Sequence, residues 1–589
     1  MRCADRAVPA CHDSRTASSD RYRGVPVQER GRRRGRHLRP SPAQRLGGRR
    51  RVWLLGSAAA AAVLVATVVL LVPSAGSGRH ATGPPGRRSS RSTRSVSTAA
   101  SSATFAGAYG IEARWVIAQN KLPGTTSWRI TTPQTPDAIM GYASRVQARE
   151  GQRVTLYVST VAPSFRVDAY RMGYYQGAGA RLVWRSKELA GSVQPACPVT
   201  PGIYMVSCRW RPAVTFTVTK TWVQGQYLLK LIGSGDQQSY VPLTIWDPSS
   251  HATYVIMAGV ATWQVFNPFG GYDLYQGQPP GLPGYPYPTR SRVVSFDRPY
   301  ATDYGNGSAS FLGNEYPLIY FAEEHGLNVT YWTDITLAEH GNLLENHQTL
   351  ISPGHDEEWS LRMRQAAVTA RAHGVNLIFF GASPILRKIR YQASPLGPAM
   401  EVVNYRDPTA DPLYGKDNAE VTQNWWGQAP ADAPASEIVG SSYVGFNNTT
   451  TFPLAVSDAS SWLFKGTGLT NGSQIPGVLG ADFNQYLTSR PNPPGVEIVA
   501  HSPVVIGFDG AHLYADTTYY SWRPSGAGVF ETGTNNWIST LSACPPGTAP
   551  CPASLIQKIT GNLLRVFGAG PAGKTHPSVS NVAQFYPGG

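Results

Sequence analysis

Residues 349–383 read TLISPGHDEEWSLRMRQAAVTARAHGVNLIFFGAS. Thr349–Ser352 is a short strand-like run. A helical pattern then extends from about Ser360 to His373, where Gly374 supplies a C-terminal stop. Asn376–Phe380 is a second apolar run of strand length. Strand, helix and strand in succession predict parallel neighbours in a doubly wound sheet. Working outward, Tyr254–Val260 (YVIMAGV) reads as a strand buried on both faces. Glu315–His325 has helical spacing, with Leu318, Ile319 and Ala322 on one side and Gly326 at its end, and Val329–Trp332 returns to strand. Leu555–Phe567 is an amphipathic helix closing the region. Residues 249–589 are thus expected to form an α/β, mostly parallel domain.

In such sheets ligands bind beyond the carboxyl ends of the strands. That places weight on Pro353–Trp359, where His355, Asp356, Glu357 and Glu358 lie between a strand end and a helix start. Histidine and carboxylates there suit general acid/base work or metal ligation. Equally, Asp356 or Glu357 simply caps the helix. Gly381–Pro384 occupies the same position after the next strand, but Ser383 lacks the GxSxG context of a nucleophile elbow. Asp297 and Arg298 read as an internal ion pair, and His501 and His512 as structural histidines.

Upstream, 109–248 alternates with period two in short runs such as Val154–Ser159, Val214–Val218 and Tyr227–Ile232. An antiparallel β-sandwich is expected, acting as a packing or binding module. The fold class is therefore mixed.

The 589-residue chain carries a formal charge of +16. Residues 1–104 hold 20 arginines and four acids, whereas 105–589 hold 32 basic and 32 acidic side chains. The basic pI describes a tail, and the neutral remainder argues against a nucleic-acid partner. Val52–Leu71 is an uncharged apolar stretch, and at ~1.5 Å per residue it spans ~30 Å. Arg49, Arg50 and Arg51 precede it, which places the N-terminus inside. The expected organisation is a disordered Arg-rich cytoplasmic tail (1–51), a transmembrane anchor (52–72), a flexible linker (73–108), and an extracytoplasmic bulk. A cleaved signal peptide releasing a secreted protein is the alternative. Cys197/Cys208 and Cys544/Cys551 are close enough in sequence to close short disulfide loops outside the cytoplasm.

The runs VDAYRMGYYQGAGARLV (167–183), TWQVFN (262–267), GGYDLY (270–275), SPGHDEEWS (352–360), GVNLIFFGA (374–382) and SGAGVFETGTNNW (525–537) resemble the N,N-dimethylformamidase large (beta) subunit family. That resemblance implies an amidohydrolase with one iron held by two tyrosines and a glutamate, beside a histidine, an asparagine and a second acid. Carried over, Glu357 and Tyr275 are the metal ligands and His355 is the histidine. Ser383 stands at the asparagine position and Asp482 at the second acid. Phe266 stands where the other tyrosine is expected, and phenylalanine cannot ligate, so zinc enters as the alternative metal and Tyr272 as a replacement ligand. Two functions follow: hydrolysis of a small amide-type substrate, or a non-catalytic relative binding a cell-surface ligand such as a glycan. A homo-oligomer is compatible with either.

Overall fold

The computed structural model describes residues 103–278, 289–542, 544 and 551–588. The tail, the anchor and the linker up to residue 102 lie outside the described residues. Within the stretch expected as linker, Thr104–Ala106 pairs antiparallel with Ile111–Ala113. Among the described residues no helix is long and apolar enough to cross a membrane.

The longer strands of the first region are β1 (Ile139–Ala143), β2 (Arg153–Thr160), β3 (Ser164–Met172), β4 (Ala180–Arg185), β5 (Pro212–Thr217), β6 (Gly225–Gly233) and β7 (Gln238–Ile245). One antiparallel sheet runs β5-β2-β1, and a second contains β7-β6-β3-β4. Alternation sends Val154, Leu156 and Val158 of β2 and Val167 and Ala169 of β3 into one shared apolar core with Leu229 and Leu231 of β6. Each valine or leucine among them stabilises by roughly 1.5–3 kcal/mol on burial. Residues 109–120 depart from the expected boundary. The Ile111 amide donates to the Tyr254 hydroxyl, and the Asn120 side chain donates to Glu323, so this segment packs on the second region.

That region is organised by β8 (Tyr254–Ala258), β9 (Val329–Thr333), β10 (Thr349–Ser352), β11 (Asn376–Phe379), the long hairpin β12 (Ser442–Ala455) and β13 (Gln474–Gln485), and β14 (Glu497–Val505), β15 (His512–Trp522) and β16 (Ala527–Glu531). The seven-stranded sheet runs β9-β8-β10-β11-β16-β15-β14. Its first five strands are parallel, while β15 is antiparallel to both neighbours, so the sheet is mixed. Every residue of β8, β9, β10 and β11 is buried, as strands covered on both faces require. Its longer helices are α1 (Val260–Val265), α2 (Tyr316–Glu324), α3 (Asp334–His340), α4 (Leu361–Ala372) and α5 (Ala553–Gly568). The chain passes from β8 to β9 on one side, then returns across β8 to β10 on the other. The crevice beyond β8 and β10 is therefore the topological switch point.

A buried ion pair joins the regions: Arg171 on β3 donates to Glu323 on α2 at 2.6 and 2.9 Å, and the Tyr331 hydroxyl on β9 donates to the same carboxylate. Both disulfides are formed, Cys197–Cys208 and Cys544–Cys551. The first closes a hairpin that reaches across to the second region, where the Cys208 amide donates to the Asp297 carbonyl at 2.7 Å.

Replacing Cys197 and Cys208 by serine is expected to cost about 3 kcal/mol, the loop-closure value for a loop of this length, read as a lower urea midpoint. A second prediction concerns acid. Burial pushes His347 down to about 4, opposed by its Nδ1 bond to the Ala252 carbonyl at 2.6 Å. A depressed histidine favours the neutral form, so its contribution is complete above about pH 6.5 and is lost as the pH falls toward 4. The variant His347→Asn should lose less stability across that window, by up to about 3 kcal/mol, in melts at stepped pH.

Candidate active site

Three loops meet at the switch point. The loop after β10 carries His355 and Glu357, the segment after β8 carries Phe266 and Tyr275, and the loop after β11 carries Ser383. Asp482 reaches the same place from β13. His355 Nε2 lies 3.0 Å from Glu357 Oε1 and 4.0 Å from Asp482 Oδ2. One ligand atom from each of these residues falls within 4.8 Å of the others. The Tyr275 hydroxyl donates to Glu357 Oε2 at 2.7 Å. All five expected site residues thus come together.

Capping does not explain the loop. Ser360 is the N-cap of α4, its hydroxyl accepting from the Met363 amide, and Glu358–Ser360 is a strand parallel to Arg387–Ile389. Asp356 instead accepts from the Ser352 hydroxyl at 2.7 Å and the Trp359 indole at 3.0 Å, and burial pushes it up to about 6. Asp297 and Arg298 are not an ion pair either. Asp297 accepts from Ser394, while Arg298 donates to the carbonyls of Gln264, Asn267, Phe269 and Tyr272 and to the Gln264 side chain. Arg298 is therefore the internal frame of the segment that carries Phe266 and Tyr275. Tyr272 stacks on Tyr204 of the disulfide hairpin, ring centroids 5.9 Å apart, and is not in the cluster. His501 pairs with Asp516 at 2.7 Å, and His512 is exposed.

The site is electrically asymmetric. Burial opposes ionisation of Glu357, yet the His355 bond, the Arg387 charge and the Tyr275 bond outweigh it and hold the carboxyl well below its ordinary range. Arg387 Nε lies 3.3 Å from Glu357 Oε2. Burial and the Glu357 charge push Asp482 up to about 6, against bonds from Ser383 (2.8 Å) and Asn535 (3.0 Å). Burial would lower His355, but Glu357 and Asp482 raise it overall. Burial and the Glu357 charge hold the Tyr275 phenol well above its ordinary value, although the Arg387 and Arg406 charges oppose them. Its ring is clamped between Phe266, stacked at 4.3 Å, and the Arg406 guanidinium at 4.0 Å.

Ser383 has φ of +58°, a left-handed conformation that costs a non-glycine residue roughly 1–3 kcal/mol. Two alternate residues of β13 hold it there: Asp482 accepts from its hydroxyl, and Asn484 accepts from its amide at 2.9 Å. Arg387, Arg406, Asn484 and Asn535 escaped the sequence reading. Only Asn535 had a signal, inside the TGTNNW run. The oxygen and nitrogen donors of His355, Glu357 and Asp482, converging within 4.8 Å, are of the kind that suits a single hard or borderline cation.

A family model described as "N,N-dimethylformamidase beta subunit-like, C-terminal" matches residues 166–550. The chain belongs to this family. No curated protein matches it. Among solved structures, an uncharacterized protein from Bacillus anthracis str. Ames is 13% identical over 18% of this chain and 79% of its own, with a TM-score of 0.12. The cycloisomaltooligosaccharide glucanotransferase of Paenibacillus sp., complexed with cycloisomaltoheptaose, is 7% identical over 63% of this chain and 60% of its own, with a TM-score of 0.15. Likenesses this weak bear on neither fold nor activity.

The frame around Arg298 is testable without an assay. Lysine keeps the charge but cannot reach four carbonyls, so Arg298→Lys should cost roughly 2–4 kcal/mol. Hydrogen exchange should rise first in residues 264–275, and even loss of protection across all strands would contradict the framing role.

Proposed function

We propose that the protein is a membrane-tethered, extracytoplasmic hydrolase of amide or formamide-type C–N bonds that works with one metal ion. The observation that carries this reading is the convergence of His355, Glu357 and Asp482 at the switch point of a family member. Glu357 and Tyr275 would hold the ion, iron by the family's pattern and zinc as the alternative, since histidine and carboxylates also suit zinc. What such an ion supplies when bound is Lewis acidity toward a carbonyl oxygen and toward water.

The chain's own groups then divide the work. Glu357 stays ionised and fixes His355 through Nε2. Asp482, pushed up to about 6, is poised to take a proton from water as its oxygen bonds to the acyl carbon. It returns that proton to the amine nitrogen as the C–N bond breaks. Ser383 and Asn535 aim the Asp482 carboxylate. The tether is residues 52–72, with the N-terminus cytoplasmic. A second reading rests on Phe266: a ring without a hydroxyl, stacked on Tyr275, where the second tyrosine is expected, favours a non-catalytic module binding a cell-surface ligand such as a glycan.

Metal analysis and the visible spectrum of the purified full chain, beside Glu357→Ala, test the proposal. About one iron per chain with a tyrosinate absorption band lost in the variant supports it, as does stoichiometric zinc in a colourless protein. Absence of bound metal in a folded wild-type protein sinks the hydrolase and leaves the binding module.

A further inference from the structure

The strand Arg387–Ser394 separates two environments. Alternate side chains leave a strand on opposite faces. Arg387 reaches Glu357 in the active site, whereas Lys388 turns away and lies over the Trp426 ring, 5.2 Å from its centroid. A cavity of about 430 Å³ opens there, between α4 and the segment around Trp426–Ala433. Its wall includes Leu361, Arg364, Val368, Lys388, Trp426 and Ala431. Arg364 and Lys388 are its charged residues, and no carboxylate lines it among the described residues.

The donors on this wall are short of acceptors. Arg364 Nη2 donates to Glu437 at 3.0 Å and to the Pro434 carbonyl at 3.3 Å, but its Nη1 has no partner. The Lys388 ammonium has one long bond, 3.5 Å, to the Asn418 carbonyl. Trp426 Nε1 has none. Arg364 is 8% exposed, and Lys388 and Trp426 are 2% exposed each. Buried donors without acceptors are costly, and buried charges more so. Burial already holds both cations below their ordinary ranges, although Glu437 supports Arg364 and Glu420 supports Lys388. A cation would be repelled here; Arg364 already has Glu437 as its ion-pair partner, but its Nη1 still lacks an acceptor and the Lys388 charge has no carboxylate on the cavity wall. An anion with two acceptor oxygens answers both needs, and Leu361, Val368 and Ala431 offer apolar contact to the rest of such a molecule.

We infer that this cavity, separate from the candidate active site, binds a small organic carboxylate with an apolar body, its carboxylate set against Arg364, Lys388 and the Trp426 indole. The inference does not depend on the hydrolase reading.

Titration calorimetry of the full-length protein with benzoate tests it, with benzamide as the neutral partner of the same shape. The expected result is saturable one-to-one binding of benzoate, at least tenfold tighter than benzamide on wild-type protein. Lys388→Met and Trp426→Phe should each weaken benzoate at least tenfold, while Glu357→Gln binds it as tightly as wild type. Absence of saturable benzoate binding overturns the inference, as does equal affinity for benzamide. Loss of binding in Glu357→Gln with retention in Lys388→Met also overturns it, because benzoate would then occupy the metal cluster. Thermal melts establish that each variant is folded, and the benzoate–benzamide comparison decides the matter on wild-type protein if either variant is not.

Discussion

A β-carbon on Gly381 would clash with the carbonyl oxygen of Gly354, and one on Gly354 would lie 3.1 Å from the carbonyls of both Asn314 and Asn535. The loops after β10 and β11 therefore approach as closely as backbones can, with the Asn535 segment against them. Everything at the switch point depends on this contact. It brings His355 and Glu357 from one loop within reach of Ser383 from the other. It also lets Asn535 place its amide on Asp482. A larger residue at Gly381 would press on the Gly354 carbonyl and force the two loops apart, while one at Gly354 would press on the Asn314 and Asn535 carbonyls.

Two carboxylates that share one histidine are driven to different protonation behaviour by what else surrounds them. Glu357 has a guanidinium and a phenol as partners, and both favour its charge. Asp482 has only neutral donors and suffers the field of Glu357. Pairs pushed apart in this way can divide acid and base roles between them. Tyr275 marks the boundary between the halves, because it donates to Glu357 while Arg406 faces its ring. Tyr443 on β12 feels the same field: burial first, then the charges of Asp482 and Glu357, raise its phenol well above the ordinary value.

What was legible in the sequence was local. Strand β10, helix α4 and strand β11 announce themselves through short apolar runs and a glycine stop, since their periodicity depends on neighbours a few residues away. The loop at the carboxyl end of β10 followed from topology alone. The same local logic left capping by Asp356 or Glu357 open, because Glu358–Ser360 becomes a strand only by pairing with residues 387–389. Arg298 was assigned to its chain neighbour Asp297, whereas its five donors are spent on residues 264–272, which no spacing rule connects to it. Asp482 needed the family resemblance, since the β12–β13 hairpin that delivers it carries no chemical motif.

The segment 264–275 is held from three directions, and this bears on what Phe266 means. Arg298 ties its carbonyls from within. The Cys197–Cys208 hairpin packs on it from outside, through Tyr204 on Tyr272 and Val206 against Gly270. Gly270 and Gly271, at φ of +76° and +79°, make the turn that sends the chain back to Tyr275. A loop so constrained cannot swing Tyr272 toward the cluster without breaking its bond to Arg298 and its stack on Tyr204. Phe266 is therefore a fixed wall against Tyr275 and His355, with ring centroids 4.3 and 4.9 Å away. It offers no oxygen donor, and it gives Tyr275 a rigid apolar neighbour beside the bond from the phenol to Glu357.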